Sequence, residues 1–258
     1  MPTFPENAPR RRRGLIVPGF FTATGLAVLI GLGIWQLERK AWKEALIAAI
    51  ARRMNAAPAA LPAPDRWASL DPETYEFTRV SFRAAFANDQ EALVFASGTA
   101  LRPDVSGPGY WVFAPARLGG GALVVVNRGF VPEGKSDAAS RAGGRVSGPV
   151  DIVGALRWPE RAGWFTPAGE PERNLWFARD QRAIAAAKGW GSVAPFYVEQ
   201  EAPTPPGGVP LPGKLVVNLP DNHLQYAITW FGLAVVLAGV FAAFVRAQWR
   251  ERRSGEGV

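Results

Sequence analysis

The sequence predicts a membrane protein in which two transmembrane α-helices flank a mainly antiparallel β domain, barrel- or sandwich-like, with one or two short helices. Two observations support this fold class. An uncharged apolar run lies near each end of the 258-residue chain. The long segment between the runs shows short apolar or alternating stretches separated by turn residues. The composition, 48% hydrophobic and 20% charged, is typical of a folded chain.

The first apolar run extends from Ile16 to Trp35. Its twenty residues, at the helical rise, are long enough to cross a hydrocarbon core of roughly 30 Å. We assign residues 15–36 to the first transmembrane helix and expect residues 36–56 to continue it as a helix. A cleaved signal peptide is the alternative, but the run exceeds a usual signal core and no small-x-small cleavage site directly follows it. We therefore predict an uncleaved anchor.

The second apolar run, Leu224 to Val245, has the same character, and we assign residues 223–245 to the second transmembrane helix. Both runs contain glycines, which are frequent in membrane helices and permit close helix packing. These glycines are Gly25, Gly31, Gly33, Gly232 and Gly239.

The basic residues indicate the orientation of the chain. Much of the net charge of +7 lies beside the two runs. The end segments contain eight arginines (10–13, 246, 250, 252 and 253) and only three glutamates. This placement is typical of membrane ends and argues against nucleic-acid binding. The arginines after the second run predict a cytoplasmic C-terminus, and two spans then place both termini there. We expect cytoplasmic segments 1–14 and 246–258, with residues 37–222 forming a domain on the other side of the lipid bilayer.

The intervening domain carries several strand signals and few helix signals. An Asp180 N-cap and a following Gly189 predict a short helix over Gln181 to Lys188, and Ser136 to Ala142 is a second candidate. Pro203 to Gly213 is expected to route the chain back toward the membrane. The predicted strands are Phe77 to Phe86, Ala92 to Leu101, Tyr110 to Leu118, Ala122 to Val126, Val150 to Leu156, Phe196 to Glu199 and Lys214 to Asn218.

Few residues of the chain suit catalysis. There is no cysteine, so thiolate chemistry is excluded. With only one histidine, the chain has few of the residues that a Ser-His-Asp triad or a zinc site requires. No phosphate-binding loop, dinucleotide fingerprint or nucleophile elbow is present. We therefore predict that the protein is not an enzyme.

The single histidine, His223, stands at the outer edge of the second span. At helical spacing His223, Tyr226, Ala227 and Trp230 share one face. An imidazole beside aromatic side chains at a membrane surface is a candidate axial ligand for haem iron. The alternative is a polar interfacial residue, with Tyr226 and Trp230 as aromatic-belt residues.

Two further clusters lie in the domain. Asn127-Arg128-Gly129 follows the predicted strand that ends at Val126, and it could bind a carboxylate through Arg128 or form a turn held by a buried salt bridge. The segment Asn174 to Asp180 predicts a strand followed by a capped helix. Its aromatic side chains could line a pocket or pack in the core.

Four motifs in this order resemble the Surfeit locus protein 1 family. The end of the first span, with Trp35, Gln36 and Arg39, is similar to that family's entry motif. Residues 127–132 resemble its Asn-Arg-Gly-Trp-Val-Pro motif, with Phe130 in place of tryptophan. Trp176, Arg179 and Asp180 match its aromatic-Arg-Asp segment, with Ala178 replacing an aromatic residue. Residues 222–230, Asn-His-Leu-Gln-Tyr-Ala-Ile-Thr-Trp, resemble its second-span signature.

The resemblance implies an assembly factor for cytochrome c oxidase. It implies binding of haem a, with His223 as iron ligand and Tyr226 and Trp230 beside it, and assistance to insertion of haem a into subunit I of a haem-copper oxidase. Subunit I and the machinery of haem a synthesis are the implied partners. The N-terminus is interpreted as bacterial, which predicts an inner-membrane protein with a periplasmic domain. A scaffold for subunit I that carries no cofactor is the alternative function.

Overall fold

The computed structural model describes residues 14–97, 102–216 and 221–255. Arg10–Arg13, the end of the predicted strand Ala92 to Leu101, and residues 217–218 lie outside the described residues. The chain divides into two compact units. One contains the chain up to Leu46 and from Pro220 onward, and the other contains Ile47–Leu219.

The first unit contains two long apolar helical segments, residues 16–46 of the first helix and the last helix of the chain. Helix α1 covers Ile16–Asn55, and the last helix, α4, covers His223–Gly255. The most apolar stretch of each is only 6% buried, unlike the mostly buried core helix of a soluble protein. The predicted pair of membrane helices is thereby confirmed, and α1 also contains the expected continuation beyond residue 36. The limits of the membrane segments, 15–36 and 223–245, stay predictions.

Glycines bring the two helices together. The side chain of Phe231 lies over Gly33, and that of Leu237 lies over Gly25, so close that an added Cβ would collide with either. The residue numbers rise on one helix as they fall on the other, so the helices run antiparallel. Backbone approach at small residues is how membrane helices gain packing energy where apolar burial contributes little.

Over its described residues, the second unit forms a closed five-stranded barrel with three additional strands. The barrel order is β2-β6-β8-β5-β4, closed by pairing of β2 with β4. All barrel neighbours are antiparallel except β5 and β8, which are parallel. The predicted, mainly antiparallel β domain is confirmed. The strands are β1 Ala59–Ala60, β2 Arg79–Phe86, β3 Ala92–Ala96, β4 Gly109–Leu118, β5 Leu123–Pro132, β6 Pro149–Arg157, β7 Leu175–Trp176 and β8 Val193–Ala202.

Alternation along the strands produces two cores. One face of all five barrel strands supplies an apolar interior that includes Val126, Leu156 and Phe196, with Trp67 packed on it. The opposite face of β4, β5 and β8 packs with β3 and β7 into a second cluster that includes Phe113, Trp176 and Ile184. Ile184 belongs to helix α3, Gln181–Lys188, which covers this face.

The short helices agree in part with the sequence. Helix α3 begins after Asp180 and ends before Gly189 in a left-handed conformation, as predicted. The expected helix at Ser136 to Ala142 is a 3₁₀ segment over Ala138–Gly144. Helix α2, Pro72–Tyr75, was not predicted. Three further 3₁₀ segments are Pro64–Ser69, Glu133–Lys135 and Pro171–Arg173.

The predicted strand at Lys214 to Asn218 is wrong over its described residues, 214–216. Leu215 instead buries its side chain in a small cluster with Ile50 and Met54. The pairing occurs earlier, where Leu211 exchanges two backbone hydrogen bonds with Phe130 at 2.8 and 3.0 Å. Pro212 lacks an N–H donor, so it interrupts any continuation of that ladder.

Candidate functional site

The only histidine of the chain contacts a glutamine of the partner helix. Nδ1 of His223, the first residue of α4, lies 2.7 Å from Oε1 of Gln36 on α1. Both side chains are half-buried. The backbone N–H of His223 donates to the carboxylate of Asp221 at 3.0 Å, which fixes the start of α4. The structure therefore brings together Gln36 and His223, which the sequence analysis identified separately as candidate functional residues.

This contact engages one imidazole nitrogen, Nδ1, and leaves the other for a ligand. In the tautomer that donates to the amide oxygen, the proton lies on Nδ1. Nε2 then carries the lone pair. Orientation of a ligating histidine through its other ring nitrogen is the usual arrangement at metal centres. The residues present therefore fit a haem-iron ligand at His223, positioned by Gln36.

The other candidates on the two helices lie around this contact. Ala227 is fully buried and Trp230 is half-buried, whereas the Tyr226 side chain is 55% exposed. All four residues lie on α4 at the predicted helical spacing, with Ala227 and Trp230 turned inward and Tyr226 at the exposed edge of their shared face. On α1, Trp35 is exposed, and the exposed Arg39 lies 4.5 Å from the ring of Trp42.

A separate apolar cavity of about 830 Å³ lies between the helices, near the start of α1. It is lined by Val17, Thr22, Leu237 and Phe241 among others, so it provides no imidazole or carboxylate. In the part of the chain that the structure describes, no group of three or more His, Asp or Glu residues could hold a metal ion. His223 is the metal-ligand candidate of this unit.

The Asn127-Arg128-Gly129 cluster is strand rather than turn, because β5 continues through it to Pro132. The predicted turn is therefore wrong, while the predicted buried salt bridge is present. The guanidinium of Arg128 donates to Glu91 at 3.0 Å, and Arg141 donates to the other oxygen of that carboxylate at 2.7 Å. All three side chains are buried. Burial lowers the pKa of Arg128; Glu91 opposes this and Arg141 adds to it.

The flanking residues of this motif are structural. The Asn127 amide donates to Glu199 at 2.8 Å, and its oxygen accepts from the Gly129 N–H at 3.1 Å. Gly129 has a φ of +123° and packs against the backbone of Leu211, so a larger residue would collide there. Beside Glu199, complete burial raises the pKa of the Tyr197 hydroxyl.

The Trp176–Asp180 segment also has structural roles. Trp176 is buried in the second core, so core packing rather than a pocket is confirmed. Arg179 forms an ion pair with Glu160 at 2.8 Å. The Asp180 carboxylate accepts from two backbone N–H groups at the start of α3.

Sequence reasoning missed several partners of these side chains, namely the buried Glu91, Arg141 and Glu199 and the partly exposed Glu160. Their positions in the sequence give little signal, since each is a single charge beside an ordinary turn or strand. Glu91 is the exception in one respect, because it directly precedes the apolar run Ala92–Ala96, whose entry into the core buries it.

Fold and site together define a membrane-anchored β-barrel protein with one histidine held in its helix pair. A protein-family model, described as the SURF1 family, matches residues 23–235. The chain is 36% identical to a SURF1-like protein of Monosiga brevicollis, over 87% of this chain and 86% of that protein. It is 34% identical to Surfeit locus protein 1 of Rattus norvegicus and 33% to that of Homo sapiens, over 85% and 84% of this chain and 73% and 74% of theirs. The chain belongs to the SURF1 family.

Proposed function

We propose that this protein assists assembly of cytochrome c oxidase by binding haem a at His223 and helping its insertion into subunit I. Family membership supports the general role, because the SURF1 family is known for cytochrome oxidase assembly. Such a role requires binding and release rather than turnover, so we propose a protein without enzymatic activity. The machinery that makes haem a would supply the cofactor, and subunit I would receive it.

The observation that supports haem binding is the contact of His223 with Gln36 at 2.7 Å. It leaves Nε2 as the basic nitrogen of a fixed ring. When bound, haem a would supply an iron centre that this nitrogen would ligate. Trp230 is half-buried on the same helix and could pack against the macrocycle, while the exposed Tyr226 could contact its edge.

Co-expression with the enzymes of haem a synthesis tests this proposal. The full chain, purified in detergent, should show the visible spectrum of haem a in wild type and lose most of it in His223→Ala. Gln36→Leu should retain part of the haem with an altered spectrum, because the ring loses its hydrogen bond but keeps its ligating nitrogen. Gln225→Ala is the matched control, being exposed and polar on the same helix.

The outcomes separate two functions. Equal haem content in wild type and His223→Ala would remove the ligand role. A colourless wild type that still copurifies with oxidase subunits would support the scaffold alternative. We also propose that the protein resides in a bacterial inner membrane with its barrel in the periplasm; the arginines that end α4 support this orientation. The relatives compared above are eukaryotic.

A further inference from the structure

A cavity of about 240 Å³ opens beside the buried Arg128 in the barrel unit. Its walls are mostly apolar: Phe86, Val146, Val150, Pro203, Pro205 and Pro206. The polar lining comes from Arg128, Gln200 and Thr204. At about 30 Å³ per water molecule, such a space would hold roughly eight waters or a ligand of similar size.

The charges around this cavity do not balance. Arg128 and Arg141 share the single carboxylate of Glu91, which leaves one excess positive charge among three buried side chains. The ammonium of Lys188 adds to it, because it donates to the backbone oxygen of Glu91 at 3.1 Å. Buried charges are stabilised only when they are paired, so this cluster favours an additional anion.

Arg128 retains donors for such an anion. Its hydrogen bonds go to Glu91 at 3.0 Å, the Gly144 carbonyl at 2.6 Å and Asn88 at 3.3 Å. A guanidinium has five N–H groups, so two remain without an acceptor among the described residues. The Phe86 ring lies 4.6 Å from the guanidinium carbon and forms the adjacent wall.

Gln200 adds an unmet hydrogen-bond acceptor. Its amide nitrogen donates to the carbonyl of Pro203 at 2.7 Å. Its oxygen is buried and has no partner among the described residues. A buried acceptor of this kind is destabilising unless a donor reaches it. The cavity is therefore lined by Arg128, which retains donors, and by Gln200, whose unpaired oxygen lies buried within the wall.

We propose that this cavity binds a small carboxylate with an apolar body and a neighbouring hydroxyl or N–H donor. The carboxylate pairs with Arg128, the donor reaches Gln200, and the body packs on Phe86 and the prolines. This site lies wholly within the barrel unit and is independent of haem binding at His223.

Ligand-observed NMR titration of the full chain in detergent tests the site, with mandelate as the probe. Phenylacetate lacks the hydroxyl and mandelamide lacks the charge. Mandelate should bind at least about tenfold more tightly than mandelamide, since a carboxylate forms a charge-assisted pair with Arg128 that a neutral amide oxygen cannot form. Its preference over phenylacetate should disappear in Gln200→Leu.

Val146→Trp should abolish mandelate binding by filling the cavity without altering Arg128. Val216→Trp is its control, an exposed loop valine that does not line the cavity. Thermal unfolding of both variants verifies folding, and Val150→Trp replaces Val146→Trp if that variant does not fold. Equal binding of mandelate and mandelamide, or unchanged binding in a folded cavity-filled variant, would overturn the proposal.

Discussion

Glu91 is the carboxylate on which two buried guanidiniums depend. Glu91→Gln removes the charge but keeps the shape, so Arg128 and Arg141 remain buried with no counter-charge from that side chain. Breaking a buried ion pair in this way costs about 3–5 kcal/mol. We expect a loss of that size in chemical unfolding of the full chain in detergent.

Asp151→Asn is the control for this substitution, because the pair of Asp151 with Arg83 is largely exposed. Its effect should stay within about 0.5 kcal/mol. A loss in Glu91→Gln no greater than in this control would show that the arginines are compensated by other groups.

Gly129 provides a second test at single-residue scale. Gly129→Ala meets both a positive φ and the backbone of Leu211, whereas Gly121→Ala meets a positive φ in open space. Gly121→Ala should cost about 1–2 kcal/mol, and Gly129→Ala clearly more. Paired thermal unfolding curves measure the difference. Equal losses would mean that the Leu211 segment simply moves away.

Residue types alone predicted part of this chemistry. An arginine directly after an apolar strand indicated a buried salt bridge, and one is present. Its partner could not be predicted, because Glu91 lies 37 residues earlier in the sequence and no local pattern connects the two. Gln36 was identified as a candidate only because it belongs to a family-like motif. Its contact with His223 depends on the antiparallel packing of two helices that lie far apart in the sequence.

The N-cap of α3 is a test at the scale of one element. The carboxylate of Asp180 accepts from the N–H groups of Arg182 and Ala183 at 3.0 and 3.1 Å. Asp180→Ala should reduce the free energy of unfolding by about 1 kcal/mol. Arg182→Ala, an exposed change on the same helix, should leave it nearly unchanged. Hydrogen exchange of the α3 amides in both variants provides the measurement.

The helix pair offers a sharper comparison, because two glycines on one helix differ in their surroundings. Gly33 lies under the Phe231 ring, while an added Cβ at Gly31 meets nothing within 4 Å. Gly33→Leu should separate α1 from α4 and break the Gln36–His223 hydrogen bond. Gly31→Leu should preserve it.

The imidazole ¹⁵N signals of labelled protein report this contact without ambiguity, since the chain has a single histidine. They should shift in Gly33→Leu toward those of Gln36→Leu and stay at the wild-type position in Gly31→Leu. Identical spectra for both glycine variants would contradict close packing at Gly33.

Element prediction succeeded where the signal was local. Helix α3 was predicted with both ends, because Asp180 and Gly189 mark them. Strand β5 was predicted too short at Val126, since Asn127 and Gly129 are turn-forming residue types. Pairing with β4 and with Leu211 overrides that preference, and burial of Arg128 depends on contacts that no window of sequence contains.

The orientation of the whole molecule gives the last prediction. Because of the arginines that end α4, an accessibility tag at either terminus should be protected in sealed spheroplasts, and a tag in the 161–168 loop should react. A control tag on a known periplasmic protein calibrates access. Labelling of a terminus from outside would reverse the predicted topology.

At this scale the sequence predicted two spans and a β-rich domain, because apolar length and alternation are properties of single segments. Closure of the sheet was predicted only as one of two alternatives, a barrel or a sandwich. It depends on pairing of β2 with β4 and on the parallel pairing of β5 with β8, which join distant parts of the chain.

The distance between Gln36 and His223 along the chain has a consequence for biosynthesis. They are 187 positions apart, with the entire barrel sequence between them. At about 5–20 residues per second, a ribosome needs roughly 10–40 s to travel from one codon to the other. The first helix can therefore be in the bilayer long before its partner exists. A chain truncated by a nonsense codon in the barrel would reach the membrane without its histidine. The helix pair therefore forms only in chains whose translation has continued past the barrel sequence.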